Sequence, residues 1–131
     1  MINFTIPITP RTKKNSSQLL KNHKTKKLYP APSKAFLQYQ EDAGWYIPHK
    51  NEKISKRLNV KCLFYMDIDY DNTESIIDLV GLLQAIDDVL VHYGVLKDDN
   101  CRIIARHDGS EVLHDRERPR TEIEITEMDD G

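Results

Sequence analysis

The chain has 131 residues, 39% hydrophobic and 31% charged, a length and composition that fit one soluble domain, residues 1–131, and leave little room for a second core. No apolar run nears the roughly 20 residues of a membrane span, and Met1-Ile2-Asn3-Phe4 lacks the basic opening of a signal peptide, so a cytoplasmic protein with no membrane partner is expected. The net charge of −2 conceals an asymmetry, because residues 1–66 hold 13 Lys/Arg against 3 Asp/Glu while residues 67–131 hold 6 against 18.

Apolar residues at 2, 4, 6 and 8 have the period of a half-buried strand, and Pro7 and Pro10 place its end at an edge or turn. Residues 9–30 read as a long exposed arm with room for a short hairpin. Between 11 and 27 it carries Arg11, Lys13, Lys14, Lys21, Lys24, Lys26 and Lys27 and no acid. Such cations can neutralise phosphates with salt-dependent, largely sequence-independent affinity, and Asn15, Ser16 and Ser17 add donors suited to a phosphate backbone. A merely solvated charge run has the same composition.

Ser33 is a good N-cap for a first helix, in which Ala35, Phe36, Tyr39, Ala43 and Tyr46 share a face and Pro48 is the stop. Trp45 and Tyr46 are expected in the core. Leu58 to Met66 reads as a strand and Asp67 to Asp71 as an acidic loop. That loop resembles the start of a calcium loop but has Asn72 and Asp78 where an EF-hand needs Gly and Glu. A second helix runs from about Ser75 or Asp78 to Tyr93, with Leu79, Leu82, Leu83, Ile86, Leu90 and Tyr93 as its apolar face and Gly94 as its C′ residue. Arg102 to Arg106 and Thr121 to Thr126 complete the strands, with a turn at Asp108-Gly109. The order β-α-β-α-β-β implies an α+β fold, a small mixed sheet covered by two helices. Cys62 and Cys101 form no CxxC pair and are both expected as buried free thiols. The five histidines show no ligand spacing; His92 reads as helix surface and the others as loop residues.

Asp78 stands in the first turn of the second helix, and Asp98-Asp99 follow its end. The helix runs about 22 Å from Asp78 to Tyr93, and six extended residues would return about 20 Å, which would bring Asp99 level with Asp78 and turn Asp98 to the other side. Carboxylates so placed repel unless a hard cation such as Mg²⁺ joins them, and such an ion would activate water against a phosphodiester. Asp78 could equally complete a capping box with Ser75, and Asp98-Asp99-Asn100 could be a solvated turn. Asp88 lies about 15 Å along the helix from Asp78, too far to share an ion, and is better placed to pair with the basic arm or a partner subunit.

With these residues in view, the sequence resembles the RusA family of phage and prophage Holliday junction resolvases, from Phe4 to Met128. The resemblance lies in Pro10-x-x-Lys13-Lys14-Asn15-Ser16, Pro32-Ser33-Lys34-Ala35-Phe36, Tyr39-Gln40, Asp88-Val89-Leu90, Gly94 to Asn100, and Pro119 to Ile125. The family motif Asp-x-Asp-Asn-x-x-Lys can start at Asp69 or at Asp78. Only the Asp78 register keeps the spacing to Asp88 and Asp99, and it substitutes Val80, Gly81 and Gln84 for the second Asp, the Asn and the Lys. The resemblance implies a homodimeric endonuclease of DNA recombination and repair, using Mg²⁺ or Mn²⁺ to place paired symmetric nicks in four-way junctions. It implies Asp78 and Asp99 as catalytic metal ligands with Asp98 in support, and Lys13, Lys14, Lys24, Lys26 and Lys27 on DNA. Loss of the second Asp leaves room for substitution by Asp98, Asp69 or Asp71, or for a junction-binding protein of the same fold that cuts poorly. A small interaction protein without nucleic acid is the remaining reading.

Overall fold

In a computed structural model, residues 2–13, 18–31, 33–48, 53–72 and 77–128 are described. In chain order the elements are β1 (Ile2–Ile6), β2 (Gln18–Lys21), β3 (Leu28–Ala31), α1 (Lys34–Ala43), β4 (Leu58–Met66), α2 (Leu79–His92), β5 (Ile104–Arg106), β6 (Glu111–His114) and β7 (Arg120–Glu127). Strand β4 organises the rest. β7 lies antiparallel on one side of it, with β1 outside β7. On its other side β5 pairs in parallel with the start of β4 and β6 in parallel with its end. The fold is therefore a small α+β protein with a mixed open sheet and two helices, as the alternation of periods implied.

Burial along β4 alternates strictly, with Leu58, Val60, Cys62, Phe64 and Met66 buried. These residues join Ile123 and Ile125 of β7, Ile6 of β1 and the inner faces of both helices in one core. α1 contributes Phe36, Tyr39 and Ala43, and α2 contributes Leu82, Ala85, Ile86, Val89 and Leu90. Ser33 caps α1 as expected, its Oγ accepting from the Phe36 amide at 3.1 Å. Beyond α2, Gly94 at φ 74 lets the chain reverse, so that Val95 N–H donates to Leu90 O and Gly94 N–H to Val91 O. That is the double-bonded C-terminal cap which satisfies the last carbonyls.

Several expectations need correction. α1 ends at Ala43, and residues 44–46 form a turn instead of continuing the helical face. Trp45 is consequently 87% exposed and Tyr46 47%, not core. Cys62 is buried but Cys101 is exposed, because residues 101–103 form a turn and β5 begins only at Ile104. Strand β6 was not anticipated, and it takes His114 out of the loops. The arm does contain a hairpin, β2 with β3, as a two-stranded sheet of its own. No helix among the described residues is long and apolar enough to cross a membrane.

Candidate functional site

The arm leaves β1 and passes alongside α2. Gly81 permits the approach, since a Cβ there would stand only 3.3 Å from Thr12 Cγ2. Thr12 is itself buried, and the next residue, Lys13, forms an ion pair with Asp88. The contact lies in a cleft of about 480 Å³ whose walls include Lys13, Gly81, Gln84, Asp87, Asp88 and Asp99. Three carboxylates, one ammonium group and one amide thus face a single space. Gly81, Gln84, Asp88 and Asp99 are positions that the resemblance singled out, three of them on one stripe of α2.

Asp99 reaches this cleft by a route other than an extended return. Val95 and Leu96 stay bonded to Leu90, and Ile54 and Lys97 tie the segment to the chain before β4. Residues 99–103 then bend and turn. The chain therefore delivers Asp99 to the wall that carries Asp87 and Asp88. Asp78 is the exposed N-cap residue of α2 without a side-chain capping bond, and it does not line the cleft. Ser75, its expected capping partner, lies outside the described residues, as do Lys14, Asn15, Ser16 and Ser17. Asp98 is exposed and turned to local bonds, with Oδ1 accepting from the Asp99 amide at 2.7 Å and Oδ2 from Asn100 Nδ2 at 3.1 Å. Val80 is 66% exposed.

Electrostatics follow from this crowding. The Asp99 carboxyl is pushed up, first by desolvation and then by Asp98 and Asp88. Burial pushes the Asp87 carboxyl up as well, with Asp88 and Asp99 adding to it, although His107 pulls the other way. Repulsion among neighbouring carboxylates is relieved by a proton or a cation, and Lys13 supplies one cation already.

Asp87 escaped the sequence reading. It lies four residues after Leu83 and three before Leu90, on the apolar face of the helix, and a charged residue there needs a partner. That spacing was the available signal. Its partner is His107, whose Nε2 lies 2.9 Å from Asp87 Oδ2. His107 Nδ1 lies 2.7 Å from the Val60 carbonyl, an acceptor only, so Nδ1 carries a proton. Burial works against a charged imidazole, but Asp87 and Val60 outweigh it and raise its pKa. The ring occupies a break in the edge beside β4. Between β5 and β6 the backbone leaves the ladder, and side chains satisfy β4 in its place: His107 on Val60 O, Ser110 Oγ accepting from Cys62 N–H, and Asn59 bonding Asp108.

The acidic loop belongs elsewhere. Asp67 and Asp69 line a separate cleft with Arg11, Tyr70 and Ile77, and Asp69 Oδ1 accepts from the Asp71 amide. At the hairpin tip, Asn22 Oδ1 accepts from the amides of Lys24 and Thr25, while Asn22 and Lys27 close the turn through their backbones. Lys24, Lys26 and Lys27 are all exposed there.

Mg²⁺ is commonly held by one or two carboxylates, with water and substrate phosphate completing its shell. Asp88 and Asp99 both line the cleft. Among the described residues no three His, Cys, Asp or Glu side chains form a group that could hold a metal ion. Neither family models nor curated proteins give a match to this chain.

Proposed function

We propose that this protein is a divalent-metal-dependent endonuclease of the RusA type, acting as a homodimer on four-way DNA junctions. The observation that carries the reading is the cleft at the root of the arm, which Asp88 and Asp99 both line and where Lys13 neutralises Asp88. Binding a polyanion and hydrolysing it require cations for the backbone beside carboxylates for the metal, and the two features adjoin here. Mg²⁺ or Mn²⁺ in the cleft would polarise a phosphate and activate water. Lys24, Lys26 and Lys27 would hold the backbone outside it. Gln84, in the family's lysine position, could donate a hydrogen bond to a bound phosphate but carries no charge. Lys13 neutralises Asp88, and a metal ion with a bound phosphate would compete with it for that carboxylate. Two such clefts in a homodimer would match the two-fold symmetry of the junction.

In this reading Asp88 takes the place that the spacing argument gave to Asp78. The test is cleavage of a synthetic four-way junction against linear duplex, with Mg²⁺ and then EDTA. Asp88→Asn and Asp99→Asn are expected to abolish paired nicks, and Asp78→Asn to spare most of them. Loss only in Asp78→Asn would overturn the assignment within the cleft. A second reading, a junction-binding protein of the same fold that cuts poorly, is favoured by the exposed Val80 in the position of the family's second carboxylate. Tight junction binding without nicks would establish it.

A further inference from the structure

We infer that the outer edge of β1 pairs with β1 of a second copy of this chain, antiparallel across a two-fold axis at Phe4, so that the sheet continues from one subunit into the other. The inference rests on the homodimeric part of the proposed function, to which it gives an interface. β1 ends the sheet, and among the described residues no strand pairs with its outer side. An edge strand presents a row of unpaired backbone donors and acceptors, which proteins ordinarily blunt with charge, proline, a bulge or shortness. The opposite edge has such devices. β5 is three residues long and ends on Arg106, β6 carries Glu111 and His114, and the register on β4 is broken at Leu58/Asn59. β1 has none of them: Ile2-Asn3-Phe4-Thr5-Ile6 is uncharged and free of proline, and it follows β7 in unbroken register.

The strand is complementary to itself. Pairing about Phe4 sets Phe4 opposite Phe4 of the partner subunit, Ile2 opposite the partner's Ile6, and Asn3 opposite the partner's Thr5. Apolar side chains then meet on the core side of the sheet and polar ones on the other, with no like charges to oppose the pairing. Burial along β1 agrees. Asn3 and Thr5 are exposed and Ile6 is buried, while Ile2 and Phe4 pack against the core but stay partly open. The same residues of a second copy would complete their cover. A two-fold axis perpendicular to the sheet also keeps the helices of both subunits on one side, and it makes the contact isologous and closed, ending the assembly at two chains. A foreign strand could add to the same edge, but only self-pairing is specified by the strand's own sequence.

The test is sedimentation velocity of the full chain without DNA, over a dilution series. A mass of two chains is expected at high concentration, falling toward one on dilution, because a five-residue pair is small against a standard interface of roughly 1,600 Å². Asn3→Lys with Thr5→Lys sets like charges opposite one another at exposed positions, and the midpoint of association is expected to rise by about 10-fold or more. A wild type that is monomeric throughout would overturn the inference, as would a folded double variant that associates like the wild type. Should that variant not fold, disulfide trapping decides. Cys101 is exposed, so Cys101→Ser is the background. Asn3→Cys with Thr5→Cys is expected to oxidise to a covalent dimer. Thr5→Cys alone is not, because its Cα atoms would lie about 8 Å apart, beyond the about 7 Å limit of a disulfide. No covalent dimer from the pair, or as much from the single variant, would overturn the pairing about Phe4. A β1 dimer that never nicks a junction leaves this inference standing and removes the proposed activity. Paired nicks from a dimer that the two lysine substitutions do not weaken do the reverse.

Discussion

The three exposed lysines at the hairpin tip make a quantitative prediction about salt. Each phosphate neutralised releases condensed counterions, so log K for duplex DNA falls with log[salt] by about 0.9 per contact. If Lys24, Lys26 and Lys27 each cover one phosphate, removing all three reduces the slope by about 2.7. Over a fourfold rise in salt, from about 50 to about 200 mM, the wild type should then lose about 40-fold more affinity than the variant. Lys24→Ala and Lys27→Ala are simple truncations. Lys26 has a φ of 57, where Asn is better tolerated than Ala, so Lys26→Asn removes the charge and keeps the turn. Fluorescence anisotropy of a labelled four-way junction, in EDTA to prevent cutting, would give both slopes. A variant slope equal to that of the wild type would refute the role of the hairpin, even if the absolute affinity had changed.

Other perturbations follow from the cleft and the core. Lys13→Met removes the resident ammonium, so Mn²⁺ should bind several-fold more tightly by calorimetry while junction affinity falls; weaker Mn²⁺ binding would contradict the view of Lys13 as a competing cation. The pKa of His107 is raised above 6.5 in the fold. Its contribution to stability is therefore full below that value and lost as pH rises through the folded pKa. Asp87, raised from 3.8, acts with the same sign. Urea midpoints should thus decline as pH rises above 6.5 in the wild type, and His107→Gln should flatten this dependence. Ser33→Ala deletes the cap on the Phe36 amide at a buried helix start, at a cost of about 1 kcal/mol in urea denaturation.

Much of the architecture was legible because it rests on local periodicity. The alternation in Leu58–Met66 and the apolar stripe of α2 predict their buried faces directly, and Gly94 ends α2 as its conformational freedom suggests. The site was less legible because it depends on where a non-periodic segment goes. An extended return from Gly94 carries Asp99 to the level of Asp78, whereas bonds back to Leu90 and the turn at residues 101–103 leave it beside Asp87 and Asp88. Strand β6 was hidden by its length, four residues at an edge, and by its register on β4, which only the completed sheet defines. His107 carried no local signal. Its role comes from a break in edge pairing and from an acid on a distant helix.

The hairpin and the main sheet are separate hydrogen-bonded units, and this divides the backbone amides into two populations. A two-stranded ribbon is marginal in water by itself, while β4 is paired along both edges and buried on one face. In hydrogen exchange the amides of β2 and β3 should open locally, whereas those of β4 should wait for global unfolding. Joining DNA to the lysines at the tip would then slow exchange in the ribbon and leave β4 untouched, giving a record of which part of the chain meets the backbone that does not depend on any bond being cut.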